Sequence, residues 1–251
     1  MLDLGCAHGS FPSDATPAKF VRIDREPADN RDTAAWFVQS DAARLPFADR
    51  TFTAVISNHS LEHFDDLNAA LCEIGRVISP EGSLFVAVPD ASTLTDRLYR
   101  WLARGGGHVN AFTSGTEIAA TIERVTGLPH VATKLLCSSL SFLNRRNSPR
   151  PLPRRLWLLG GGYEWPLIVY SWISRTLDRH LNMRTSIYGW AFYFGRTAEP
   201  IDRQSWPNVC IRCGSGHSAL TLLDQGFVRR TFMGLRTYRC PTCGAGNHFT
   251  E

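Results

Sequence analysis

The sequence has no long uninterrupted apolar run, no internal repeat and no secretory signal at its start. Its most apolar stretch, Leu156–Ile173, is broken by three glycines, a proline and a glutamate, which argues against a membrane-spanning helix. Met1 is followed by Leu-Asp-Leu rather than by a basic stretch and a long apolar run. We therefore expect a cytoplasmic protein.

Cysteine is scarce outside one pattern. Of seven cysteines, three are scattered, and four form two C-x-x-C pairs in "CIRCG" and "CPTCG". This arrangement is typical of a metal site in a reducing compartment and not of a disulfide framework. Each C-x-x-C-G turn lets two thiolates bind one metal ion. We predict a structural zinc ribbon over residues 209–251, closed to catalysis, with the ligands Cys210, Cys213, Cys240 and Cys243.

The 251 residues are 43% hydrophobic, with a mean hydropathy of −0.15, which predicts one good core and a small appendage. The net charge of +4 is spread unevenly along the chain. Residues 1–133 carry 11 basic and 17 acidic side chains, residues 134–203 carry 11 and 4, and residues 204–251 carry 5 and 2. The acidic N-terminal part and the basic C-terminal part of the chain are expected to bind different partners.

Strand and helix patterns alternate over the first 90 residues, which predicts an α/β fold with a Rossmann-like parallel sheet and helices on both faces. The predicted elements are strands at Phe20–Pro27, Phe52–Ser60, Ser83–Asp90 and Ser186–Arg196, and helices at Leu67–Ser79 and Thr113–Gly127. A turn is predicted at residues 80–82.

A glycine-rich turn follows the first apolar run, and acids follow the later ones. Gly5 and Gly9 form a G-x-x-x-G pattern, Asp24 ends the second predicted strand, and Asp41 precedes the next buried run. Ligands bind at the carboxyl ends of strands in open parallel sheets, and glycine lets backbone approach them closely. These features predict a nucleotide-binding site.

The motifs "DLGCAHG", "DAARLPFADRTFTAV" and "RVISPEG" resemble those of class I S-adenosylmethionine-dependent methyltransferases over Met1–Asp90. The resemblance implies an antiparallel last strand and S-adenosylmethionine as cofactor. The implied cofactor-binding residues are Asp3, Gly5, Ala7 and Gly9 at the methionine and ribose end, Asp24 at the ribose hydroxyls, Asp41 and Ala42 at the adenine, and Asn58 facing the sulfonium.

Two histidines are candidates for catalysis. Methyl transfer needs a general base only when the acceptor must lose a proton early, as a hydroxyl or a carbon acid must. His59, facing the sulfonium, and His108, in "GGGHVN", could serve. The chain lacks N-P-P-Y, D-P-P-Y and Pro-Cys after the strand predicted at Phe52–Ser60, which argues against methylation of exocyclic amines or cytosine C5.

The segment "HSLEH", His59–His63, matches the H-x-x-E-H pattern of one class of zinc protease. That interpretation requires a helix with both histidines on one face. Because the segment directly follows a buried strand, we set the protease interpretation aside. Glu62 and His63 are then expected to be structural.

We predict a methyltransferase domain at residues 1–199 with a basic, aromatic insertion at 145–185, a linker at 200–208 and the ribbon at 209–251. The insertion either covers the substrate or lies at a membrane surface as a peripheral contact. The leading hypothesis is methyl transfer to a small-molecule, glycan or lipid-linked acceptor. The alternatives are an RNA methyltransferase whose ribbon holds nucleic acid, and a non-catalytic scaffold with a vestigial cofactor pocket.

Overall fold

The computed structural model describes residues 1–6, 9, 17–27, 35–105, 107–147, 163–196, 205–230 and 235–251. Seven strands form one sheet: β1 (Leu2–Leu4), β2 (Val21–Asp24), β3 (Trp36–Gln39), β4 (Phe52–Asn58), β5 (Ile78–Pro89), β6 (His130–Cys137) and β7 (Ile187–Phe194). Their order is β3-β2-β1-β4-β5-β7-β6. The first five pair in parallel, and the last strand runs antiparallel. The predicted fold class is confirmed.

The larger helices are α1 (Leu67–Val77), α2 (Leu94–Leu102), α3 (Gly115–Thr126) and α4 (Trp165–Leu181). The Asp66 carboxylate caps α1 by accepting from the Ala69 N–H at 2.9 Å. Ser114 caps α3, and Gly127 ends it in the left-handed conformation at φ 72°. α1 and α3 each bury one apolar face, as their sequence spacing predicts.

Two predicted boundaries between α1 and β5 are wrong. The helix ends at Val77, and the strand begins at Ile78 instead of Ser83. Phe52 pairs with Ile78, and Ala54 pairs with Ser83, so the register shifts between these two pairs. The proline and glycine of the predicted turn lie between these two pairs. The strand continues through them, because a β-bulge can accommodate extra residues without ending the strand.

The chain divides into two compact units. The first comprises residues 1–90, 107–134 and 190–203, and the second comprises residues 91–106, 135–189 and 204–251. The core of the first unit is formed by apolar side chains of the sheet, α1 and α3, among them Leu4, Val86 and Ile122. The domain boundaries expected from the sequence stay a prediction.

The second unit contains α2, α4 and the cysteine-rich C-terminal segment. That segment folds as β8 (Asn208–Val209), β9 (Gly216–His217), α5 (Ala219–Asp224), β10 (Val228–Arg230), β11 (Arg236–Arg239) and β12 (Gly246–His248). Ile211 is buried in one cluster with Leu102, Leu143 and Leu167. Among the described helices, none has the length and hydropathy needed to cross a bilayer.

Candidate active site and metal centre

The turn after β1 requires glycine at its first position. Gly5 has φ +66°, and its N–H donates to the Ile23 carbonyl at 2.9 Å. A Cβ on Gly5 would lie 2.5 Å from the Ser60 Cβ, so a side chain here would collide with the turn after β4. The Ser60 hydroxyl donates to the Leu4 carbonyl at 2.9 Å and ties these two turns together. Ser60 carried no recognisable signal in the sequence.

A buried arginine lies beneath the same turn. Arg22 on β2 is 5% exposed, and its Nε lies 3.9 Å from the Oδ2 of Asp3, which is fully buried. Gly9 has φ +100°, and a Cβ there would lie 2.7 Å from the Arg22 Cζ. The buried side chains of Arg22 and Asp3 thus form the surface on which the glycine turn packs. Ala7 lies outside the described residues.

The predicted nucleoside-binding residues lie at the carboxyl ends of neighbouring parallel strands. Asp24 is the last residue of β2, Asp41 follows β3 by two positions, and Asn58 is the last residue of β4. The Asp41 carboxylate accepts from the Ala43 N–H at 2.9 Å, which orders the backbone around the buried Ala42. The carboxylates of Asp24 and Asp41 can accept hydrogen bonds from hydroxyl and amino groups, which fits an adenosine cofactor. The assignments of individual residues stay predictions.

The loop that follows Asp41 is anchored by one arginine of α1. Arg76 donates to the Phe47 carbonyl at 2.7 Å and to the Leu45 carbonyl at 3.0 Å. It also pairs with Asp49 at 2.8 Å and with Glu73 at 2.7 Å. The acid of the "LPFAD" motif therefore holds the loop in place through Arg76 rather than facing a ligand.

His59 directly follows β4 in the left-handed conformation, with φ 54°. Burial, together with the nearby charges of His108 and His63, lowers the pKa of His59 to about 4. The imidazole is consequently neutral at physiological pH and can accept a hydrogen bond or a proton, although it is a weak base. The roles of His59 and His108 in catalysis stay predictions.

The "HSLEH" segment has a different geometry from a zinc-protease helix. Leu61–His63 form a single 3-10 turn, so the two histidines do not share a helix face. His63 instead meets His108, with ring centroids 4.9 Å apart in a T-shaped contact. One ligand atom each of Glu62, His63 and His108 lie within 4.8 Å of one another.

The four cysteines of the two C-x-x-C pairs converge as the sequence predicts. Their sulfurs lie within 4.8 Å of one another, with Cys210 and Cys243 at 3.6 Å and Cys213 and Cys240 at 3.7 Å. Tetrahedral zinc with Zn–S bonds of about 2.3 Å would place sulfurs about 3.8 Å apart, so this donor set fits zinc.

The two cysteine turns share one backbone pattern. Gly214 and Gly244 have φ of 76° and 70°, and their N–H groups donate to the carbonyls of Cys210 and Cys240. The buried Asn247 reaches the Cys210 sulfur at 3.6 Å through its side-chain amide. Such outer contacts orient metal ligands. Asn247 has no signal in the sequence.

A family described as "Methyltransferase domain" matches residues 2–86. A malonyl-[acyl-carrier protein] O-methyltransferase of Methylococcus capsulatus is 29% identical over 188 residues, which cover 62% of this chain and 66% of that protein. A ubiquinone/menaquinone biosynthesis C-methyltransferase of Desulfotalea psychrophila is 39% identical over 79 residues, or 30% of this chain and 32% of that protein. The chain thus spans less than two thirds of each of these relatives.

The fold is shared with solved structures. A SAM-dependent methyltransferase from Archaeoglobus fulgidus aligns with a TM-score of 0.52 and 17% identity, over 78% of this chain and 85% of that one. At this identity the likeness concerns the fold. Residues 2–86 thus match the methyltransferase domain family, and the fold around them is that of the class I S-adenosylmethionine-dependent methyltransferases.

Proposed function

We propose that the chain transfers a methyl group from S-adenosylmethionine to an oxygen or carbon atom of a small-molecule, glycan or lipid-linked acceptor. The observation that carries this proposal is the alignment of Gly5, Asp24, Asp41 and Asn58 at the carboxyl ends of β1 to β4. The match of residues 2–86 to methyltransferase domains supports it. The names of two relatives, an O-methyltransferase and a C-methyltransferase, support oxygen or carbon as the acceptor atom.

When bound, S-adenosylmethionine would supply a methyl group on a cationic sulfonium, which the acceptor atom would take in line as the methyl–sulfur bond breaks and neutral S-adenosylhomocysteine leaves. The chain's contribution is mainly to position the two reactants. Asp24 would accept from both ribose hydroxyls, and Asp41 from the adenine amino group, while Gly5 gives the close backbone approach. Asn58 and His59 would face the sulfonium, with the neutral His59 accepting a hydrogen bond from the acceptor.

Calorimetric titration with S-adenosylhomocysteine tests this function. We expect one site per chain with a Kd in the micromolar range, because the glycine turn and both acids are in place. The titration uses the full 251-residue chain after its metal content has been measured. No binding by the folded, zinc-loaded chain would contradict the methyltransferase proposal and favour the scaffold alternative.

We further propose that the four cysteines hold one structural zinc ion. The sulfur separations and the matching backbone turns support this assignment. Four thiolates fill a tetrahedral site, so this ion is expected to stabilise the C-terminal segment rather than to bind a substrate.

The exposed face of α4 supports a proposal of peripheral membrane contact. Trp165, Val169, Trp172 and Ile173 share one helical face, and between 38% and 64% of each side chain is exposed. The helix lies in the arginine-rich middle of the chain. Tryptophan with nearby basic charge is typical of segments that lie on an anionic bilayer surface.

Vesicle sedimentation tests this contact. The wild-type chain is expected to bind vesicles that contain anionic lipid, and the double variant Trp165→Ser/Trp172→Ser about tenfold more weakly. The reason is that the two partly buried indoles together are expected to contribute about 1.4 kcal/mol, or about 0.7 kcal/mol each. Trp36→Ser, an exposed tryptophan of β3, is the matched control. Equal binding by all three chains would exclude α4 as the membrane-contacting surface.

A further inference from the structure

We propose that Glu62, His63 and His108 form a binding site for a divalent transition-metal ion, separate from the four cysteines. A carboxylate oxygen of Glu62 and one nitrogen of each histidine lie within 4.8 Å of one another. All three residues belong to the first compact unit. The assignment does not depend on the methyltransferase activity.

The donor set suits this class of ion. Two imidazole nitrogens and one carboxylate oxygen bind zinc, iron, cobalt and related ions at about 2.0–2.2 Å. Ligand atoms bound to one such ion lie about 3–4 Å from one another. The three ligand atoms here lie within 4.8 Å of one another, so small side-chain rotations would bring them to that distance. Glu62 is 1% exposed, whereas neither histidine is buried. An ion could therefore enter from the histidine side.

Backbone hydrogen bonds hold the two contributing segments together. The N–H groups of Val109 and Asn110 both donate to the Glu62 carbonyl, at 2.8 and 2.9 Å. The Asn110 side-chain amide donates to the Leu61 carbonyl at 3.0 Å and to the Phe64 carbonyl at 2.8 Å. These four bonds fix the segment that carries His108 against the turn that carries Glu62 and His63. A ligand set spread over two segments is thus pre-organised by the fold.

The hydrogen bond of His63 matches that of a metal-binding histidine. Its Nδ1 lies 2.9 Å from the Gly107 carbonyl oxygen, which can only accept. The proton therefore resides on Nδ1, and Nε2 carries the lone pair. Metal-binding histidines characteristically donate their second ring N–H to a backbone carbonyl or carboxylate.

An ion bound at this site would have an open coordination position and would therefore be able to bind a further ligand. Three protein ligands leave at least one coordination position open, unlike four cysteines. The Glu62 Oε1 lies 3.8 Å from the Nδ1 of His59, which follows the end of β4. We infer that the bound ion would hold an oxygen atom of the acceptor and lower the pKa of a hydroxyl there. This last step, unlike metal binding, rests on the proposed function.

Cobalt titration of the chain loaded with one equivalent of zinc tests the site. We expect one further equivalent of Co²⁺ to bind, with visible absorption but without the intense charge-transfer band of cobalt–thiolate bonds. Because removal of an outer contact alone weakens metal sites up to about 100-fold, His63→Ala and His108→Ala should each raise the Kd for Co²⁺ by more than that. His130→Ala, an exposed histidine of β6, should leave it unchanged.

Melting curves and S-adenosylhomocysteine titrations of the same samples complete the test. The two site histidines are not buried, so their variants are expected to fold like the wild type. Co²⁺ binding without nucleoside binding would support the metal-site proposal and contradict the proposed methyltransferase function. No Co²⁺ beyond the zinc equivalent, or wild-type Co²⁺ affinity in both histidine variants, would overturn the metal site whatever the nucleoside does.

Discussion

Replacement of Cys240 by serine is expected to release one zinc ion per chain and to unfold residues 209–251. Structural zinc supplies about 10 kcal/mol or more of binding free energy that small metal-bound segments use for folding. Cys240 is 2% exposed, with its sulfur 3.7 Å from that of Cys213, so a missing thiolate is not compensated by solvent. Metal analysis and limited proteolysis of the C-terminal segment measure the effect.

Cys72→Ser is the matched control for this variant. Cys72 is exposed on α1, and its substitution should change the free energy of unfolding by no more than about 0.5 kcal/mol. A strong chelator applied to the wild-type chain should reproduce the proteolytic pattern of Cys240→Ser. An unchanged zinc content in the variant, or a protease-resistant segment after metal removal, would contradict the structural role of the ion.

Asp24→Ala and Asp41→Ala are expected to weaken S-adenosylhomocysteine binding strongly. A hydrogen bond to a charged group contributes about 1.5–3 kcal/mol, which corresponds to at least tenfold in Kd. Asp24 would accept from two hydroxyls and Asp41 from one amino group, so the larger loss, about 100-fold or more, is expected for Asp24→Ala. Calorimetry of both variants beside the wild-type chain measures the difference.

Two further variants sharpen the interpretation. Asp224→Ala removes an exposed carboxylate of α5 and should leave the Kd unchanged. Asp24→Asn keeps the side-chain shape without its charge, and an intermediate Kd is expected. If Asp24→Ala and Asp41→Ala bind as tightly as the wild type, the nucleoside lies elsewhere than at the ends of β2 and β3.

The elements that were predicted and those that were missed differ in burial. β4, β5 and α1 bury one face in the core, so their apolar spacing is visible in the sequence. β3 and β6 are the two edge strands of the sheet and have no fully buried residue, which leaves them without such a pattern. In α4 the tryptophans Trp165 and Trp172 lie on the exposed face, so the most apolar positions did not mark the packed side.

Features that depend only on neighbouring residues could be predicted from the amino-acid sequence. A glycine turn after the first strand, an acid after the second and the two C-x-x-C-G turns all have local steric or chemical requirements, and these predict the parallel sheet and the cysteine centre. The tertiary structure alone decided which distant residues meet. His63 and Gly107 are 44 positions apart, and no periodicity links them. They meet because backbone donors of one loop satisfy carbonyl acceptors of another, and such long-range pairing exists only once the sheet has formed.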